Sequence, residues 1–138
     1  EDATRSESDF LAAAIEKAVS AGAKTVTLCD TAGTMLPDEF AAFLNGIRLP
    51  DDVTLGVRCS NAMNMACACT AASMNGGATE IKTAVDGFDA PALSAIAQLF
   101  RLRGDSCNIS CGLDHTGLVR IENRIIDWFT NWIFYWWK

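Results

Sequence analysis

A chain of 138 residues, half of them apolar and a fifth charged, fits one domain with a buried core and lies outside the disordered range. Its net charge of -6, with the basic residues scattered, excludes the concentrated positive face that holds a nucleic-acid backbone. No basic segment leads into a short apolar one, and no apolar run reaches the roughly 18 residues of a membrane-crossing helix, so neither secretion nor membrane spanning is indicated.

Along the chain, Phe10, Leu11, Ala14, Ile15, Ala18 and Val19 recur at helical spacing, which predicts an amphipathic helix from Ser6 to Ala21 closed by Gly22. The β-branched run Thr25 to Cys29 predicts a buried strand, which Asp30-Thr31-Ala32-Gly33 breaks with turn chemistry. Pro37 opens a second helix through about Ile47, since proline is favoured at a first helical position. A second strand is expected over Val53 to Val57. Asn61 reads as the cap of a third helix running to about Met74, which Asn75-Gly76-Gly77-Ala78 ends before a third strand near Thr79 to Val85. A fourth helix is expected over Pro91 to Leu102, a loop over Gly104 to Gly112, and a last helix from about Asp114. The strand starts Thr25, Val53 and Thr79 are evenly spaced, each strand followed by a helix, which means a parallel sheet with helices outside it.

Six cysteines, Cys29, Cys59, Cys67, Cys69, Cys107 and Cys111, are set among these elements rather than in a loop-rich stapled frame. They are expected to be reduced thiols in a cytoplasmic protein. Cys67 and Cys69 sit two apart on a helix and face different directions. Cys107 and Cys111 have metal-like spacing but lack the partners of a four-ligand zinc site. His115, the only histidine, is expected at the surface or a helix start. The segment Ile125 to Trp137 gathers all four tryptophans with Phe129, Phe134 and Tyr135, and is expected to bury itself against this chain or a partner chain.

In parallel βα folds the working groups gather at the carboxyl ends of the strands. The candidates are therefore Glu1 and Asp2, Asp30 and Thr31, Arg58 to Asn61, and Asp86-Gly87. Glu1-Asp2-Ala3-Thr4-Arg5-Ser6 resembles the segment that ends barrel strand four in the 2-isopropylmalate, homocitrate and citramalate synthases. Asp30-Thr31-Ala32-Gly33, followed by Pro37 and Glu39, resembles their strand-five D-T-x-G turn, which the related HMG-CoA lyases share. Val57 to Asn61 is similar to the strand-six H-x-H-N segment, followed by the alanine-rich helix that ends in Gly76-Gly77-Ala78. The ordered set, over roughly residues 1 to 88, carries the resemblance; no single motif would.

The resemblance implies an α/β fold, a partial (β/α)8 TIM barrel of about strands four to seven or eight, with helices outside and an aromatic C-terminal helix. Residues 1–112 would form the barrel segment and 113–138 a C-terminal helical segment packing on the barrel or a partner chain. The implied activity is a Claisen condensation of acetyl-CoA with a 2-oxo acid on a divalent metal such as Mg, Mn or Zn, held by a strand-one aspartate and two strand-six histidines. Here Arg58 and Ser60 stand at the histidine positions. Arginine has no lone pair to give a cation and a serine hydroxyl is a poor substitute for imidazole, so the metal site is expected to be absent or weak and the activity weak or altered. The strand-seven G-x-G-E-R segment is also missing from Asp86-Gly87-Phe88-Asp89.

By resemblance, Glu1 is the catalytic candidate, while Thr31 and Asn61 are substrate-binding positions. Arg58 adds a permanent cation that suits an anionic ligand or a salt bridge at the barrel rim. Each carries a plainer reading as well: Thr31 as a turn residue, Asn61 as a helix cap, Glu1 as a frayed terminus. The sequence opens on Glu1 within a motif, which reads as a cut or processed start. The open sheet edges call for a longer chain, a homo-oligomer or a companion half-barrel. Two functions stay open: an acyltransferase domain, or a non-catalytic binding or scaffold domain derived from that family.

Overall fold

The computed structural model describes residues 1–107, 109–110 and 112–136, with side chains through residue 130 apart from 86 and 107. After a short turn over Ala3–Arg5 come α1 (Ser8–Ser20), β1 (Thr25–Asp30), α2 (Pro37–Asn45), β2 (Thr54–Cys59), α3 (Ala66–Ser73), β3 (Glu80–Ile81), α4 (Leu93–Cys107) and α5 (His115–Trp136). The three strands form one parallel sheet in the order β1-β2-β3, with Thr25 opposite Thr54, Asp30 opposite Cys59 and Gly56 opposite Glu80.

Side chains alternate across a strand, and the sequence assigns the two faces different work. Leu28, Val57 and Cys59 turn to the helices and bury with Phe40 and Leu44 of α2 and Ala66 and Cys69 of α3. The opposite face carries Thr27, Cys29, Gly56, Arg58 and Glu80 and is the face a closed barrel turns inward. Gly56 leaves room there, since a Cβ at that position would lie 2.7 Å from Thr27 Oγ1. Pro37 starts α2, and Glu39 Oε2 accepts the Leu36 N–H at 2.9 Å, satisfying one orphan donor of the first turn.

The larger departures from the expected boundaries each have a local reason. β2 runs on to Cys59, so Arg58 stands on the strand rather than after it. α3 begins at Ala66 because residues 61–64 close a turn first: Asn64 takes a left-handed backbone, φ 56, and donates to Asn61 O at 3.0 Å. β3 stops at Ile81. Beyond it the chain leaves the sheet and doubles back, with Ala84 donating to Pro91 O at 3.0 Å and accepting from Leu93 N at 3.1 Å. α4 continues through Gly104, where a side chain would lie 2.3 Å from the Ile109 carbonyl, so the glycine admits the returning backbone instead of starting a loop.

α5 packs on α4 and on the Val85–Gly87 turn. Glu122 of α5, only 7% exposed, accepts the Ser94 N–H at 3.2 Å and so caps the first turn of α4. His115 is the first residue of α5, and Asp114 Oδ1 caps that helix by accepting from Thr116 N at 3.1 Å. Trp128 and Phe129 stack edge to face at 5.2 Å but stay 61% and 52% exposed, because the buried side of α5 is carried by residues such as Glu122. The side chains of Trp132, Phe134, Tyr135, Trp136 and Trp137 lie outside the described residues, as does the Cys107–Cys111 pair. Among the described residues no helix is long and apolar enough to cross a membrane.

Phe40 is fully buried at the centre of the core whereas Phe10 is 70% exposed on α1. Phe40→Ala is expected to cost about 3–5 kcal/mol in urea unfolding and Phe10→Ala less than about 0.5 kcal/mol. Equal costs would contradict this placement of the core.

Candidate functional site

The carboxyl ends of β1 and β2 meet at one buried residue. Asp30, 1% exposed, turns toward the helices: Oδ1 accepts from Thr4 Oγ1 at 2.9 Å and Oδ2 from Met35 N at 3.2 Å. Its backbone carbonyl accepts from Gly33 N at 3.2 Å and Ser60 N at 3.1 Å. The turn between them is tight. Gly33 has φ 63, and a Cβ there would come within 2.9 Å of the Ser60 carbonyl, so no other residue fits without shifting the end of β2.

Thr31 then points the other way, onto the rim. Its hydroxyl donates to Glu1 Oε2 at 2.7 Å and accepts the Asp2 N–H at 2.7 Å. Glu1 Oε2 also lies 3.8 Å from Arg58 Nη1. Arg58 Nη2 donates to Asp89 Oδ2 at 2.6 Å and to the Asp89 carbonyl at 3.1 Å. Ser60 donates to the other oxygen of that carboxylate, Asp89 Oδ1, at 2.6 Å.

Glu1, Thr31 and Arg58, picked out in the sequence, are thus brought into one connected group. Asn61 stands beside it in a different role. Its Oδ1 accepts from Ala66 N at 3.3 Å and its Nδ2 donates to Gly87 O at 3.4 Å, tying the start of α3 to the turn that precedes Asp89. Sequence reasoning missed Asp89. It belongs to no periodic element, and its only signal is a carboxylate in the stretch where the family's strand-seven motif should stand.

The electrostatics follow from these contacts. The Thr31 hydroxyl holds the Glu1 carboxyl below its usual range, with the charge of Arg58 adding to it. Ser60 and Arg58 do the same for Asp89, and the Asp89 carboxylate in turn raises Arg58. Burial pushes the Cys59 thiol up to about 12, and burial with the Glu1 charge raises Cys29.

A divalent metal does not suit the two positions where the resemblance implies imidazoles. Arg58 has no lone pair, and both it and the Ser60 hydroxyl spend their protons on Asp89. The donor set is built to hold a carboxylate.

A parallel βα sheet with its polar groups collected at the strand carboxyl ends is an α/β arrangement of the kind that parallel barrels use. The chain belongs to the HMGL-like family, whose model matches residues 1–125. Among curated relatives, it is 34% identical over 133 residues to 2-isopropylmalate synthase of Caulobacter sp. strain K31, covering 91% of this chain and 25% of that protein. It is 35% identical over 132 residues to the 2-isopropylmalate synthase of Methylorubrum populi, with 90% and 25% covered. The chain thus spans about a quarter of the length of the curated relatives it matches. The fold is shared with HMG-CoA lyase of Bacillus subtilis (TM-score 0.72, 15% identity, 86% of this chain and 42% of that chain). It is also shared with the carboxyl transferase domain of Rhizobium etli pyruvate carboxylase (TM-score 0.64, 22% identity, 82% and 18%).

Two measurements follow. Iodoacetamide at pH 8 is expected to modify half-exposed Cys67 well before buried Cys29, Cys59 and Cys69, read by peptide mass mapping; early labelling of Cys59 would contradict its burial. The second concerns acid. Asp89 is lowered from 3.8 in the folded state, so its contribution is full above about pH 5 and is lost as pH falls through the lowered value. The urea midpoint of the native chain should therefore drop more steeply below pH 4 than that of Asp89→Asn, and parallel curves would remove Asp89 from the account.

Proposed function

We propose that the chain is part of an acyltransferase of the 2-isopropylmalate and homocitrate synthase type, carrying substrate-facing residues of its barrel, with weak or altered activity. The observation that carries this reading is the family match over residues 1–125 together with the convergence of Glu1, Thr31 and Arg58 at the strand ends. The reaction would join the methyl carbon of acetyl-CoA to the keto carbon of a 2-oxo acid. Water then cleaves the thioester, releasing the CoA thiol and a 2-hydroxy dicarboxylic acid.

Each residue has a part that its chemistry allows. Arg58 neutralises a substrate carboxylate, the Thr31 hydroxyl orients it, and Asn61 holds the neighbouring loop in place. Glu1, ionised at neutral pH, accepts protons but is a weak base because Thr31 and Arg58 stabilise its charge. Arg58 cannot polarise a carbonyl as a metal does, and this supports weakened chemistry. A cytoplasmic setting and completion of the sheet by further barrel strands, a second copy or a companion half-barrel belong to the same reading. A second reading, a binding or scaffold domain that kept the fold, is favoured by the way Asp89 already engages Arg58 and Ser60.

Thiol release from acetyl-CoA in the presence of a panel of 2-oxo acids tests the first against the second. The expected result is slow release that requires the 2-oxo acid and falls at least about tenfold in Glu1→Gln, as the loss of a proton-transfer group would cause. Release that no 2-oxo acid stimulates would contradict the acyltransferase reading.

A further inference from the structure

We propose that Arg58 and Ser60 form a carboxylate seat which the chain's own Asp89 occupies, and which a small carboxylate ligand takes over when Asp89 withdraws. The inference rests on reading the strand ends as the ligand-facing rim. It reverses the charge preference that the resemblance implies, placing an anion where a cation is expected.

The seat is rigid. Arg58 and Ser60 are two residues apart at the end of β2, so their side chains leave the strand on the same side. The parallel ladder to β1 and the bond from Ser60 N to the Asp30 carbonyl, 3.1 Å, fix the backbone between them. Their donors reach different oxygens of a single carboxylate, each at 2.6 Å, the two-point grip by which a planar carboxylate is recognised.

The occupant, by contrast, is presented from outside the sheet. Asp89 has a side chain 52% exposed, and its backbone is left-handed with φ 51, a conformation that L residues other than Asn and Asp rarely adopt. Its neighbour Phe88 is 86% exposed. The base of the excursion is closed by the Ala84 to Pro91 and Leu93 to Ala84 bonds, so Asp89 can swing away without unwinding α4. When it does, Arg58 and Ser60 remain aimed at the vacated place.

Glu1, 3.8 Å from the guanidinium, sets the ligand class. A second negative charge on the ligand would meet that carboxylate, so the seat favours a monocarboxylate whose remainder is neutral, with the Thr31 hydroxyl alongside. In the native chain a tethered Asp89 competes at high effective concentration, which keeps the ligand's apparent affinity low.

Acetate is the probe, titrated into the full 138-residue chain and followed by the backbone N–H signals of residues 58 to 61 in nitrogen-proton NMR, which every variant retains. Asp89→Asn keeps a residue that tolerates the left-handed backbone, and Asp89→Gly provides a second variant that tolerates it and removes the side chain altogether. Both are expected to bind acetate at least about tenfold more tightly than the native chain. Adding Arg58→Met should abolish that gain, and adding Ser60→Ala should reduce it. Unchanged affinity in both Asp89 variants, or a gain that survives Arg58→Met, would overturn the seat. Failure of the acetate titration with intact stimulation of thiol release by 2-oxo acids would leave the acyltransferase reading standing. Tight acetate binding without thiol release would support the seat and count against that reading.

Discussion

The buried Asp30 is the constraint on which the rim depends. One residue engages the N-terminal segment through Thr4, the start of the α2 connection through Met35, and the end of the neighbouring strand through its carbonyl bond to Ser60. A carboxylate almost wholly removed from water is tolerable only when its oxygens are bonded, and here each one accepts a hydrogen bond. Its position at the last residue of β1 forces Thr31 to the other side of the chain, where it meets Glu1 and Asp2. Gly33 then closes the turn against β2 at a distance that admits no side chain. The rim is thus assembled by a residue whose side chain is turned away from the solvent-facing cluster it organises.

That cluster is a chain of alternating partners. Thr31 holds Glu1, Glu1 faces Arg58, Arg58 grips Asp89, and Asp89 receives Ser60. Exposed ion pairs taken singly contribute little, so its importance lies in orientation more than stability. With two donors fixed on a strand and one acceptor presented from an exposed turn, the arrangement has a rigid side and a replaceable side. At the positions where the resemblance implies histidines, Arg58 and Ser60 are donors, and both donate to Asp89. On the proposed reading, the preference of this position changes sign while the fold is kept.

Much of the scaffold was legible in the sequence because its signals are local. The helical spacing of Phe10, Leu11, Ala14 and Ile15, the β-branched run from Thr25 and the proline at the start of α2 each act within a few residues. The third strand is present but shorter than expected, because Thr79 to Val85 has strand-like composition while its length is decided by the pairing of Ala84 with Pro91 and Leu93. Asn61 looked like a cap and does accept a helix N–H, but from Ala66, after a turn whose left-handed Asn64 has no distinctive local signal. Gly104 looked like a loop opener, and only the approach of Ile109 shows why a small residue stands inside α4. In the site, Glu1, Thr31 and Arg58 were visible as residues at strand ends. Asp89 was not, since its role depends on an excursion that no spacing rule encodes.

The carboxyl carbon of Asp89, followed by carbon NMR through an acid titration, tests the reversed polarity of the rim most directly. The account expects a titration midpoint below the ordinary value of 3.8 in the native chain, moving back up toward it in Arg58→Met and in Ser60→Ala. A native midpoint at or above the ordinary value, unmoved by either substitution, would mean that Arg58 and Ser60 do not hold a carboxylate, and would contradict the account.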